Sequence, residues 1–127
     1  MRYPRRVVLA LLTVLAGVAV LLTACGSGPA DGENSVRSSG VLRVGTEGVY
    51  APFSYHDPAT GQLTGYDVDV ARAVGEKLGV NVEFVETPWD SIVAALEANR
   101  FDVVAIQVTI TPERQQKYDL SAPYSIG

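Results

Sequence analysis

The chain has 127 residues with ten basic and fourteen acidic side chains, and one each of Cys, His and Trp. Length allows one ordinary domain or part of a larger one. Residues 1–24 hold three of the basic residues and no acidic ones, so the formal charge of −4 conceals about −7 from Cys25 onward, which argues against a nucleic-acid partner. A single Cys excludes an internal disulfide, and the chain shows no metal-ligand spacing.

Residues 1–24 read as an export segment. Met1 to Arg6 is basic, Val7 to Leu22 is apolar, and the run ends in Leu22-Thr23-Ala24-Cys25. This ending resembles the lipobox of bacterial lipoproteins, whose Cys becomes the lipidated N-terminus after cleavage. Cys25 is therefore the expected lipid attachment point, placing the protein on the extracytoplasmic face of a membrane. The apolar run is at the short edge for a spanning helix. From 26 to 40, eight of fifteen residues are Gly or Ser and only Val36 is a sizeable apolar residue. That composition predicts a flexible tether with a reach of roughly 20 Å.

The elements from 41 to 127 alternate. Val41–Thr46 alternates and is β-rich, which predicts a strand. Pro52, Asp57-Pro58 and Thr60-Gly61 are turn signals, and Phe53–Tyr55 can pair with Gln62–Thr64 as a short hairpin. Asp67 is an expected N-cap for a helix through Leu78, with Gly79 as its C′ residue. Asn81–Glu86 predicts a second strand. Thr87-Pro88-Trp89-Asp90 predicts a capped helix to about Ala98. Asp102–Ile106 is a continuous apolar run after an acid and predicts a buried parallel strand. Thr111-Pro112 starts a further helix. The order β-α-β-α-β specifies an α/β fold with ligands expected beyond the carboxyl ends of the strands.

Three loops carry the candidate chemistry. The loop Gln107-Val-Thr109-Ile-Thr111-Pro-Glu-Arg114 combines an amide, two hydroxyls, a helix start and a guanidinium. Such a set suits a carboxylate, because the Arg fork matches it bidentately. The spacing equally fits a plain N-cap at Thr111 and a solvated Arg114. Glu47 follows the first strand and either accepts an ammonium or is simply solvated. Tyr50 and Trp89 either clamp a ligand or pack, whereas Phe53 reads as packing. His56 lies in a turn and reads as exposed rather than catalytic. Asp67 has a capping role and Asp69 falls in the first turn. No nucleophile triad or phosphate-binding loop is present.

Seven pieces then carry a family resemblance: Leu42–Gly48, Tyr50–Phe53, Gly65–Ala71, Trp89-Asp90, Asp102–Val104, Thr109–Arg114 and Ser121–Tyr124. In order and spacing the chain from Leu42 resembles the polar amino-acid substrate-binding proteins of bacterial ABC transporters, of the periplasmic-binding-protein type II fold. The run Gln107–Ser121 is most similar to the cystine-binding branch, with Ile106 in place of the usual Asn and Leu120 in place of the usual Phe.

The resemblance implies a two-lobed protein that closes on a small amino acid and delivers it to permease subunits, without cofactor, metal or catalysis. It implies that Arg114 binds the ligand α-carboxylate with help from Thr109, that Gln107 lines the same loop, that Tyr50 and Trp89 sandwich the side chain, and that Glu47 faces the amine or a polar end. On this reading residues 41–127 are part of the first lobe, an N-terminal fragment presenting half a site that binds amino acids weakly or not at all. A cyclohexadienyl dehydratase-like enzyme or the sensor domain of a receptor are alternatives on the same fold.

Overall fold

The computed structural model describes residues 32–125. The export segment, Cys25 and the first part of the expected tether lie outside the described residues. In chain order the elements are α1 (Gly32–Ser39), β1 (Val41–Thr46), β2 (Val49–Tyr50), β3 (Ser54–His56), β4 (Leu63–Thr64), α2 (Tyr66–Leu78), β5 (Asn81–Glu86), α3 (Trp89–Glu97), β6 (Val103–Val104) and α4 (Pro112–Lys117).

Alternation along β1 makes it the centre of a parallel sheet of order β5-β1-β6. β1 pairs with β5 from Val41↔Asn81 to Thr46↔Glu86, and with β6 at Val44↔Val103 and Gly45↔Val104. Leu42 and Val44 enter one core with Val36 and Ala71. Gly45 meets the other core, of Ile92, Ala95, Phe101 and Ile106. A Cβ at Gly45 would lie 2.6 Å from the Phe101 ring, so this strand position must be Gly for the ring to approach. The β-α-β-α-β order holds.

β6 departs from its expected burial. It has a strand neighbour on one side only among the described residues, and Val103 is 43% exposed. The apolar run signals a strand covered on both faces, and that cover is incomplete around Val103.

Two expected caps move. Thr111 does cap α4, its Oγ1 accepting the Arg114 N–H at 3.3 Å with Pro112 in the first position. Thr87 does not cap α3: Pro88 takes the cap position, and the buried Thr87 donates its hydroxyl to the Val85 carbonyl. Asp67 does not cap α2 either. Gly65 takes that position at φ 127°, and Asp67 is fully buried as the second residue of the helix. A Cβ at Gly65 would collide with the Phe53 carbonyl, so the chain passes too closely there for a capping side chain. Gly79 ends α2 in the left-handed region as expected.

The expected tether is also corrected over part of its length. Residues 32–39 form α1 because one apolar side chain and one Arg suffice to dock it. Val36 is buried in the first core. Arg37 pairs with Glu33 at 3.0 Å and donates to the Leu78 carbonyl at 3.0 Å. That carbonyl is at the C-terminus of α2, where a cation is favoured.

A second, antiparallel sheet of order β2-β3-β4 realises the hairpin, with Tyr55↔Thr64 and His56↔Leu63 in register. One tie to the main sheet is the buried Ser54, whose Oγ accepts the Thr46 hydroxyl at 2.6 Å and the Gly48 N–H at 3.0 Å.

At the amino end of β1, Asp102 accepts the Arg43 N–H at 2.8 Å and its guanidinium at 2.6 and 3.2 Å. The guanidinium holds the Asp102 carboxyl below the usual carboxylate range. A lowered carboxylate contributes stability in full above its unfolded value near pH 4, and loses it as pH falls through the folded value. Asp102→Asn should therefore flatten the acid limb of a denaturation–pH profile below about pH 5. Phe101→Ala should cost about 3–5 kcal/mol through the cavity opened over Gly45, read as a lower urea midpoint.

Candidate functional site

The carboxyl ends of β1, β5 and β6 release the three loops on which the candidate residues sit, because the parallel register aligns those ends. α3 begins at Trp89, and the Trp89 N–H, one of the unpaired amides of that helix start, is accepted by Glu47 Oε1 at 3.2 Å. Trp89 is 48% exposed.

Arg114 comes to the same place from α4. Its guanidinium carbon lies 5.9 Å from the centre of the Trp89 ring, within cation–π range. Its Nη1 donates to the Thr109 carbonyl at 2.8 Å. Nε and Nη2 have no acceptor among the described residues. The fork is thus oriented by backbone and stacked on an aromatic face, with donors left over for a ligand. The structure brings Glu47, Trp89, Thr109 and Arg114 together.

Tyr50 stands on β2 and packs on Phe53, the ring centres 5.1 Å apart at 46°. Tyr50 remains 43% exposed. Packing is thus the observed role of Phe53, and Tyr50 keeps an open side.

Gln107 faces elsewhere. It sits at φ 55° and donates its amide to Asp67 Oδ1, while its own Oε1 accepts the Ser125 hydroxyl at 2.6 Å. Both ends of the amide are occupied inside the lobe. Tyr124 also donates to Asp67 Oδ1, at 3.2 Å, and Tyr66 donates to the Tyr124 carbonyl at 2.7 Å. Asp67 Oδ2 is buried with no partner among the described residues. Burial pushes the Asp67 carboxyl up, against the pull of Gln107 and Tyr124. This knot fixes where the loop of Thr109 and Arg114 begins. An acid at a helix start reads as a cap, and here Gly65 holds the cap position, so the knot carries no local signal.

The arrangement suits a zwitterion. The Arg114 donors without an acceptor among the described residues, the half-exposed Trp89 beneath them and the Glu47 carboxylate at the start of α3 are groups of the kinds that a zwitterion needs.

Residues 42–127 match the family of bacterial extracellular solute-binding proteins, family 3. The L-cystine-binding protein TcyA of Bacillus subtilis is 47% identical over 131 residues, covering 95% of this chain and 48% of its own length. Among solved structures, the L-cystine solute receptor of Neisseria gonorrhoeae, unliganded and open, is 62% identical with a TM-score of 0.67, covering 72% of this chain and 39% of the receptor. An ancestral cyclohexadienyl dehydratase is 50% identical with a TM-score of 0.68, over 73% of this chain and 38% of that one. The arginine-bound domain 1 of an arginine-binding protein, TmArgBP, is 33% identical with a TM-score of 0.67, over 71% of each chain. The chain thus spans about half the length of TcyA and about 40% of the full-length receptor, an extent that fits one lobe of a type II periplasmic binding protein. With its family match running from the second residue of β1 to Gly127, the chain belongs to the bacterial extracellular solute-binding proteins, family 3.

Proposed function

We propose that the chain is the first-lobe part of an extracytoplasmic lipoprotein that captures a polar amino acid, cystine or a close analogue, and delivers it to ABC permease subunits. The observation that carries this reading is the Arg114 fork, oriented by the Thr109 carbonyl and stacked on Trp89 with donors to spare. Relatives described as L-cystine-binding support the ligand class. In the complete protein a second lobe closes over the site and supplies the partner of the α-amine. Cys25 anchors the protein by lipid, and Glu47 and Tyr50 line the side-chain end. Gln107 acts behind the site, through the knot at Asp67. The arginine-bound domain 1 supports residual, weak binding by this chain alone.

An Arg–carboxylate pair shielded from water loses several kcal/mol when one partner is removed. Arg114→Ala in the complete protein should therefore weaken amino-acid binding at least tenfold by calorimetry. Unchanged affinity would remove the central residue of the reading. Detergent phase partitioning checks the anchor: the mature protein should enter the detergent phase and Cys25→Ala should not.

The ancestral dehydratase favours a second reading, an enzyme on the same fold. It needs an acid–base group at the cleft. Glu47 is the candidate there, and it already accepts the Trp89 N–H. Turnover of a cyclohexadienyl substrate by the complete protein would select that reading over capture.

A further inference from the structure

The ring of His56 is held on both sides by groups that only accept. Its Nδ1 faces the Gly61 carbonyl at 2.8 Å, and its Nε2 faces both oxygens of Glu86 at 3.0 and 3.1 Å. A carbonyl cannot donate, and neither can an ionised carboxylate. A neutral imidazole has one donor and one acceptor nitrogen, so it satisfies only one of these contacts. Both are satisfied together by the imidazolium.

The location gives that proton a mechanical role. His56 is on β3 and Glu86 ends β5, and theirs is the one ion pair among the described residues that joins the small sheet to the main one. β3 pairs with β2 at Tyr50↔Ser54, so His56 and Tyr50 move on one sheet. Glu86 is three residues before Trp89. The pair therefore links the small sheet that holds Tyr50 to the strand that leads into Trp89. Gly48, at φ 74°, makes room for it, since a Cβ there would run into the Glu86 carboxylate. Other ties of the small sheet are the hydrogen bonds at Ser54, one from Arg72 to the Leu63 carbonyl, and the Tyr66 and Asp67 N–H groups on the Pro52 and Phe53 carbonyls.

Resting on the amino-acid-binding reading, we propose that His56 is a positioning residue, a proton-dependent pin that holds the Tyr50 sheet against the approach to Trp89 and loosens capture when it loses its proton. The other charges around the small sheet are already engaged. Asp57 accepts the Ala59 and Thr60 N–H groups, Glu47 accepts the Trp89 N–H, Asp69 pairs with Arg72 on α2, and Asp67 is bound by Gln107. Glu86, then the Gly61 carbonyl, raise His56 above its ordinary value. A raised base gives its stabilisation in full below the unfolded value near 6.5 and loses it as pH rises through the folded value.

His56 is the sole His of the chain, so its ring nitrogens can be followed without ambiguity by ¹⁵N NMR. Both should be protonated at about pH 6, with a midpoint above the ordinary value that falls in Glu86→Gln. A neutral ring at pH 6.5, or the same midpoint in Glu86→Gln, would overturn the pin. In the complete protein, amino-acid affinity should fall at least threefold as pH rises through the NMR midpoint. That step should be absent in His56→Gln. A pH-independent wild-type affinity would overturn the link to capture while leaving the amino-acid-binding reading intact. Absence of amino-acid binding at every pH would overturn that reading and the link together, and the ring titration would then judge the pin alone.

Discussion

β1 is hydrogen-bonded on both sides, to β5 along its whole length and to β6 at Val44 and Gly45, and each face of it meets a separate core. Parallel pairing requires each neighbour to arrive through a crossover, and the crossovers from β1 to β5 and from β5 to β6 are where α2 and α3 sit. Gly45 lets the Phe101 ring press on the strand, and the Arg43–Asp102 pair closes its amino end. Loss of β1 would leave β5 and β6 without a common partner and Val36, Ala71, Ile92 and Phe101 without a floor.

The same pairing has a polarity. Thr46 lies beside Glu86, so the residues that follow each of them, Glu47 and the turn into Trp89, emerge at one edge. Glu47 then meets the amide of Trp89 at the start of α3, and Arg114 is laid over the Trp89 ring from α4. The opposite edge carries the structural ion pair of Arg43 and Asp102. The proposed recognition chemistry and the structural ion pair thus lie at the two ends of one strand. Two further contacts lie at the proposed recognition edge: the Asp67–Gln107–Tyr124 knot behind the third loop and the His56–Glu86 pair beside the first.

The three parallel strands, the Gly79 terminator and the Thr111-Pro112 helix start were legible because each is written in a local pattern with a local physical cause. Arg114, Trp89 and Glu47 were legible as a group through strand polarity, which gathers residues distant in sequence, and through the family resemblance. α1 was hidden because its docking depends on Val36 and Arg37 finding β1 and the end of α2, contacts that a Gly- and Ser-rich composition does not announce. Asp67 and Thr87 were read as caps because both stand where caps stand. Their inward turn is decided by backbone approach and by Glu47, forty-two residues before Trp89 in sequence, serving the amide at the α3 start instead. His56 was read as a turn residue because its partner, Glu86, is thirty residues away.

The central claim is that an amino acid is held between the Arg114 fork and the Trp89 ring. The most direct test is the indole N–H resonance of Trp89 in the complete protein, assigned by its loss in Trp89→Phe and followed by NMR during titration with L-cystine and with other polar amino acids. A saturable shift of that resonance, matching the calorimetric affinity, is the predicted result. Amino-acid binding that saturates while the Trp89 resonance stays in place would put the ligand elsewhere and contradict the account.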